Sequence, residues 1–452
     1  MRGMLTTMGR VLRDHWPALL AWYVAGTLAH YLAIELAGVV GAYSDIGGVL
    51  LQPFAPLSKL VSYVAMLLVV RDGLRHLGAL APRPQDPAER RRDFVRALLG
   101  GTVPFVAFYT AYSYLTEDFK QVVLRTLERR REHAFEHIDF LNLENSGDPR
   151  EWDFAAGELL LTPVSIGVLV VAFALRWVLG RESVRKHRWL APVTVYLESL
   201  WVVMAALILT DLLGIVGSWV EGRLAMVWLA DLREWALDTL FPLVWLWDGA
   251  VWFLGELGGV ILLPLAWLTV TGAIYGHAVS AKAPELSHRR AQAVVERYKG
   301  LRAPVRRVIR DASAQATSRL EPIWSAIMLM WRAGPVLIGF FVLLFALLGL
   351  LGEGVEYAMT RLIGPHGLNE FWVLWDDALF LIPALLIEPL RIALVASGYD
   401  ETLRRLVPDA DQSSRKRMKG GNMVGADSSL LTSTSAVNGP ASSGTTNASE
   451  PS

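Results

Sequence analysis

The chain has 452 residues, of which 53% are hydrophobic and only 19% are charged, and its 43 basic residues balance its 43 acidic residues. A soluble domain seldom has so apolar a composition, so the composition favours a membrane protein. The balanced charge gives no reason to expect a nucleic-acid partner, and the absence of cysteine excludes disulfides, thiolate metal ligands and cysteine nucleophiles.

The charged residues collect in a few segments and leave long apolar stretches between them. A helix needs roughly 20 mostly apolar residues to cross the hydrocarbon core, because backbone groups there must bond to one another. The sequence therefore predicts an all-α, polytopic integral membrane helix bundle of about eight transmembrane helices. The predicted spans lie near residues 16–36, 50–70, 97–115, 159–178, 190–213, 255–276, 333–351 and 378–397. The first run is too long for the hydrophobic region of a signal peptide, so it is predicted to remain as a span.

Lysine and arginine are distributed unequally between the two sides of this arrangement. The segments that would lie on the same side as the termini carry 30 of the 43 basic residues, and the opposite segments carry 9. Because short basic loops stay in the cytoplasm, this asymmetry predicts that both termini are cytoplasmic. The abundance of arginine, alanine, leucine and glycine is typical of a GC-rich bacterial genome. The predicted location is therefore the inner (cytoplasmic) membrane of a bacterium, with the lipid bilayer as the first partner.

The eight spans share a plan that suggests four hairpins. Each outward-going helix has a proline near its cytoplasmic end, and each returning helix has a proline in its outer half and a glycine at its cytoplasmic end. In the outward-going helices the prolines are Pro17, Pro104, Pro192 and Pro335. In the returning helices the prolines are Pro56, Pro163, Pro264 and Pro383, and the glycines are Gly73, Gly180, Gly276 and Gly398. The pattern fits four copies of one hairpin, but prolines that start helices and glycines that end them occur in any bundle. Both explanations stay open.

Two longer segments are predicted to lie outside the cytoplasm. In residues 116–157, apolar residues at helical spacing predict an amphipathic helix over Glu117–Leu141. In residues 216–250, tryptophans occur among scattered charges, and Trp228 and Trp235 share one helical face. This pattern favours a helix lying in the outer interface or, alternatively, two short helices packed on the bundle.

The cytoplasmic loop 277–322 is basic and also has helical spacing of its apolar residues. A basic helix beside the inner leaflet would attract anionic lipids by about 1 kcal/mol per lysine or arginine. The predicted inner-leaflet lipid contacts are Arg289, Arg290, Arg302, Arg306, Arg307 and Arg310. The alternative is that this loop is basic only because inner loops generally are. The predicted bundle covers residues 1–407, and residues 408–452 have too few apolar side chains to form a core, which predicts a disordered cytoplasmic tail.

One motif associated with metal chemistry occurs in the outer segment. His133-Ala-Phe-Glu136-His137 matches H-x-x-E-H, in which two histidines one helical turn apart can bind Zn²⁺ and the glutamate serves as general base. The sequence offers no distinct third ligand, and the segment is too small for the domain that a peptidase of this kind uses. A zinc ion at His133 and His137 is the single cofactor hypothesis; otherwise no cofactor is predicted.

Four ionisable residues inside the spans are the main functional candidates, namely Lys59, Glu198, Glu388 and Arg391. A charge at the bilayer centre costs a few kcal/mol unless it is paired or hydrated. Glu388 and Arg391 are three residues apart on one helix and can pair, and the four charges together would be neutral. They could line a transport path. Alternatively, the pair could serve only to fix packing while Lys59 extends to the interface.

Three functions are therefore in competition. The first is a permease-like protein that moves a small molecule or lipid across the envelope past the four charges. The alternative is a non-catalytic membrane scaffold or accessory subunit of an envelope complex, with a membrane-protein partner or a second copy of the chain. The third is an extracytoplasmic metal-dependent hydrolase built on residues 133–137. The first two require no catalysis, so the chain is not expected to be an enzyme.

Overall fold

The computed structural model describes residues 2–80, 83–136, 163–179, 190–239, 241–280 and 334–406. Helices dominate these residues, and no strand occurs among them, which confirms the predicted all-α class. Twelve α-helices lie in the described ranges. In chain order they are α1 (Arg2–Tyr43), α2 (Asp45–Leu51), α3 (Phe54–Val70), α4 (Arg75–Leu80), α5 (Pro87–Ala111), α6 (Tyr114–Glu136), α7 (Pro163–Leu179), α8 (Ala191–Glu221), α9 (Leu224–Thr239), α10 (Phe241–Ser280), α11 (Pro335–Ile363) and α12 (Val373–Leu406).

Seven helical stretches in the described ranges are long and apolar enough to cross a membrane. They are α1, the α2–α3 stretch Asp45–Gly73, α5, α8, the part Gly259–Gly276 of α10, α11, and Leu368–Arg405, which includes α12. The remaining predicted span, the fourth one near 159–178, corresponds to α7, which has 17 described residues and is therefore at the lower limit of length for a span. The prediction of a membrane protein with several spans is therefore confirmed. The number of eight spans, the identity of the membrane and the side on which the termini lie stay predictions.

Several helix ends follow directly from local sequence. Ser44 begins α2, where its hydroxyl accepts a hydrogen bond from the Gly47 backbone N–H at 3.2 Å. Asp86 begins α5 in the same way, with a bond from the Ala88 N–H at 3.1 Å, and Pro87 occupies the first helical position. The prolines of the second predicted span lie where α3 starts, so they separate α2 from α3 without ending the span.

The helices pack as neighbours in a pattern that only partly follows the chain. α1 packs against α3, and α11 packs against α12, so the helices of the first and last predicted hairpins are adjacent. α5 instead packs chiefly against α10 and α8, and α7 packs against α8. Close neighbours in the middle of the bundle therefore come from different predicted hairpins. The arrangement as four hairpins stays a prediction.

The surface of the bundle is apolar over a large part of the spans. Leu343 and Leu350 on α11 are 55% and 62% exposed, as expected of side chains that face lipid. On α9, which lies in the outer segment 216–250, Trp228 and Trp235 are both exposed. Exposed tryptophans near span ends suit the headgroup layer, so the interfacial position of this helix stays the preferred interpretation.

The contact between α1 and α3 depends on a small residue. A Cβ atom added to Gly26 would lie 2.2 Å from the Ser62 Cβ, so the two helix backbones approach as closely as side chains allow. At the same place the Ser62 hydroxyl donates a hydrogen bond to the Trp22 carbonyl at 2.8 Å. Close approach of small residues, with a side-chain hydrogen bond across the gap, is a common way for helices to associate in a membrane.

We expect Gly26→Ala to lower the free energy of unfolding by about 1–3 kcal/mol, because the new methyl group overlaps Ser62. Gly9→Ala is the matched control on the same helix, since an added Cβ there meets nothing within 4 Å. The measurement is thermal unfolding of the purified protein in one detergent. A second change, Ser62→Gly, should restore part of the lost stability; equal stability of the Gly26 and Gly9 variants would contradict this packing.

Candidate functional site

A cavity of about 350 Å³ lies between α1, α3, α5, α6, α10 and α12. This volume is at the lower end of the range for small-molecule sites. Aromatic rings form much of its wall: Tyr63 packs edge-on against Trp267 with ring centroids 4.8 Å apart, and Phe105 stacks on Tyr109 at 5.2 Å. Charged residues from three of the six helices complete the lining. We call it the central cavity.

Glu388 and Arg391 contribute an ion pair to this cavity. Both lie on α12, and the Arg391 Nη1 donates to the Glu388 Oε1 across one helical turn. Two further atoms of the pair, Glu388 Oε2 and Arg391 Nε, are buried and have no hydrogen-bond partner among the described residues. Because buried polar atoms are almost always bonded, water or a solute in the cavity is needed to complete this pair.

The same pair also faces a second cavity. This space of about 580 Å³ lies between α10, α11 and α12, and Glu388 and Arg391 line it as well. Three further carboxylates, those of Glu256, Glu353 and Glu356, also line it. We call it the acidic cavity. The ion pair thus stands between two polar spaces, one aromatic and one acidic.

Lys59 brings a separate positive charge to the central cavity. Its ammonium nitrogen lies 5.7 Å from the centroid of the Tyr109 ring, a distance that allows a cation–π interaction. In the ranges that the structure describes, no carboxylate lies within salt-bridge distance of Lys59. Its charge also acts on the Glu388 carboxylate in the same cavity, so Lys59 belongs to the group of charges around the ion pair and can bind the anionic part of a solute.

Glu198 lies in a different place from the other three candidates. The described residues that line the central cavity include Lys59, Glu388 and Arg391 but not Glu198. Glu198 instead pairs with Arg176, because the face of α8 that carries it packs against α7. The Arg176 guanidinium also lies 5.4 Å from the Trp201 ring centroid. The structure therefore brings three of the four sequence-predicted residues together and gives the fourth a partner of its own.

A buried histidine–aspartate pair is the part of the site that sequence reasoning missed. His30 on α1 and Asp118 on α6 are only 5% and 4% exposed. The His30 Nε2 lies 3.3 Å from the Asp118 Oδ1, and the Tyr109 hydroxyl donates to the other carboxylate oxygen at 2.8 Å. The His30 Nδ1 lies 3.0 Å from the Ala55 carbonyl oxygen. All three polar side chains line the central cavity.

The bonding partners of this pair show that it holds a proton. A carbonyl oxygen can only accept, so the His30 Nδ1 must carry a hydrogen to bond to Ala55. A neutral ring would then present a lone pair at Nε2, facing the lone pairs of an ionised Asp118. The 3.3 Å contact is favourable only if a further proton sits on Nε2 or on the carboxyl group. The pair therefore contributes a buried, hydrogen-bonded polar group to the wall of the central cavity.

Two other predicted sites fall outside the described residues. His137 and the side chain of His133 are not described, so the zinc hypothesis stays a prediction. The same holds for the six arginines of the 277–322 loop and for the tail 408–452. In the described ranges, no group of three or more His, Asp or Glu side chains is arranged to hold a metal ion.

No protein-family model, curated protein or solved structure matches this chain. Any functional conclusion must therefore come from the chemistry of the cavities themselves.

We expect Asp118→Ala to destabilise the fold, because it leaves both His30 and Tyr109 without their buried partner. The expected loss is roughly 1–3 kcal/mol for each buried group that stays unsatisfied. Asp118→Asn is the matched control, since its amide can donate to the His30 Nε2 and its oxygen can accept from Tyr109. Thermal unfolding in detergent should place the Asn variant close to the parent protein. An Asn variant as unstable as the Ala variant would show that the site requires the charge.

Proposed function

We propose that this chain is a membrane carrier that moves a small charged solute through the central cavity. The observation that carries the proposal is the Glu388–Arg391 pair, which lies between two cavities and keeps an open bonding position on each partner. Glu388 is the sixteenth of the 34 residues of α12, so the pair is close to the middle of that span. Charges at such a depth are costly, and in transporters they mark the solute or ion path.

The lining of the central cavity supports a solute that carries a charged group and an apolar body. The lining holds both signs of charge, namely Lys59 and Arg391 together with Glu117, Asp118 and Glu388, and the aromatic wall supplies apolar contact area. The acidic cavity, which shares the ion pair, is lined by three further glutamates. The two spaces that meet at the pair therefore differ in charge, as expected of a path along which a charged solute exchanges partners.

A scaffold remains the alternative function, and the unsatisfied atoms of the pair argue against it. An ion pair that only fixes packing gains most when all its hydrogen bonds are made within the protein. The Arg176–Glu198 pair offers a comparison, because its nitrogen and oxygen atoms lie between two closely packed helices and additional partners surround it. The Glu388–Arg391 pair instead opens on both sides to space.

We expect water to reach the ion pair, and the chain is suited to testing this because it contains no cysteine. Ala384 lines both cavities, whereas Leu386 on the same helix is 51% exposed on the lipid-facing surface. In membrane vesicles, Ala384→Cys should react with a membrane-impermeant thiol reagent because a thiolate can form in an aqueous space. Leu386→Cys should react at least about tenfold more slowly, because hydrocarbon disfavours the thiolate. Equal rates for the two cysteines would contradict an aqueous path.

We expect solute movement to depend on the central pair and not on the peripheral one. Vesicles that contain the protein are incubated with an extract of small metabolites, and the retained solutes are identified by mass spectrometry. Glu388→Gln combined with Arg391→Met should reduce the retained solute to the level of vesicles without the protein. The matched control, Glu198→Gln combined with Arg176→Met, removes an ion pair of the same kind outside the cavity and should leave retention within about twofold of the parent. Equal effects of the two double variants, or no retained solute with the parent protein, would favour the scaffold.

A further inference from the structure

A third cavity lies at the end of the bundle where the start of α1, the start of α4 and the end of α12 meet. Its volume is about 560 Å³, and it shares no lining residue with the central cavity in the part of the chain that the structure describes. Four arginines line it, namely Arg10, Arg13, Arg75 and Arg404, together with the hydroxyls of Thr6 and Thr7. We call it the arginine cavity.

The two carboxylates in the wall of the arginine cavity are already bonded within the protein. Asp400 is 2% exposed, and its Oδ1 accepts the backbone N–H groups of His76 at 2.9 Å and Leu77 at 2.8 Å. Its other oxygen lies 3.1 Å from the His76 Nδ1. Glu401 accepts two hydrogen bonds from Arg404, at 2.9 Å and 2.5 Å. Asp400 thus joins α4 to α12, whereas Glu401 is paired within α12, and the two carboxylates leave little charge to neutralise the other arginines.

Among the described residues, two of the guanidinium groups have no counter-charge. The Arg10 Nε is buried without a hydrogen-bond partner in these ranges, and its Nη2 makes one long bond, 3.4 Å, to the Thr7 hydroxyl. Arg75 is exposed at the start of α4, and in the described ranges no carboxylate lies within salt-bridge distance of it. Arg13 pairs with Asp14 at the surface. The cavity therefore has an excess of positive charge at Arg10 and Arg75.

The position of this cavity matches the level of the lipid headgroups. Arg10 precedes the apolar run that begins at Trp16 by six residues, which is about 9 Å along a helix. Arg404 follows the predicted end of the last span at residue 397 by seven residues, about 10 Å. Since each headgroup layer is about 5–8 Å thick, flexible arginine side chains at these positions reach the lipid phosphates.

We propose that the arginine cavity binds a phosphate-bearing anion, held by the guanidinium groups of Arg10 and Arg75. Guanidinium groups bond to two phosphate oxygens at once, and the hydroxyls of Thr6 and Thr7 can supply further donors. The phosphate can belong to the headgroup of an anionic phospholipid or to a free solute, because the same atoms would be recognised in both. The site is separate from the central cavity, so the proposal of anion binding does not depend on the carrier function.

The test compares two double variants of the full chain purified in a neutral detergent. Arg10→Gln with Arg75→Gln removes the two unpaired charges of the cavity. Arg91→Gln with Arg92→Gln is the control, since these exposed arginines of α5 carry the same charge outside the cavity. Each protein is mixed with phosphatidylglycerol, with phosphatidylcholine or with inorganic phosphate, and bound ligand is counted by native mass spectrometry with thermal unfolding as a second readout. The cavity variant should bind roughly tenfold more weakly than the parent, and the control should bind like the parent.

The outcomes separate the two sources of phosphate. Retention of phosphatidylglycerol over phosphatidylcholine, lost in the cavity variant alone, assigns the site to a lipid headgroup. A rise in thermal stability with inorganic phosphate, again lost in that variant alone, assigns it to a free solute. Equal loss in both double variants, or no loss in either, overturns the proposal. If the double variant does not fold, Arg75→Gln alone serves, because the Arg75 side chain is exposed and has no hydrogen bond or ion pair with the part of the chain that the structure describes.

Discussion

The structure depends on one constraint, which is that polar groups in hydrocarbon must find their partners within the chain. Helices satisfy the backbone, and the described spans are accordingly long and continuous. Polar side chains must then be collected between helices. Here they are concentrated where α1, α3, α5, α6 and α12 meet, and the remaining surface of the spans is left apolar. The same constraint that builds the bundle therefore also decides where a solute could be held.

The sequence contains enough information to place the spans but not their neighbours. Composition and length decide which stretches enter the membrane, so the predicted spans coincide in position with the apolar helices. Which face of a helix meets which partner depends on packing between residues far apart in the chain. The sequence pattern groups Glu198 with Glu388 only because both lie inside predicted spans. The packing of α8 on α7 gives Glu198 a different partner, Arg176.

The histidine–aspartate pair also shows that contacts between distant helices could not be predicted from the sequence. His30 lies inside the first predicted span, so the cost of a polar group in hydrocarbon was a signal that could have singled it out. Asp118 gave no such signal, because it lies in a segment that the sequence assigns outside the membrane. Only the packing of α6 against α1 buries Asp118 next to His30. The burial of a residue is thus a property of the fold as well as of its own helix.

The attachment of α6 to the bundle combines apolar packing with a buried polar contact. α6 packs on α1 through Val122 and through the close approach of Arg125 to Gly38. The His30–Asp118 contact joins the same two helices at the wall of the central cavity. A change at that wall is therefore also a change in the seating of a surface helix, so that the interior of the bundle and its outer contour depend on one pair of side chains.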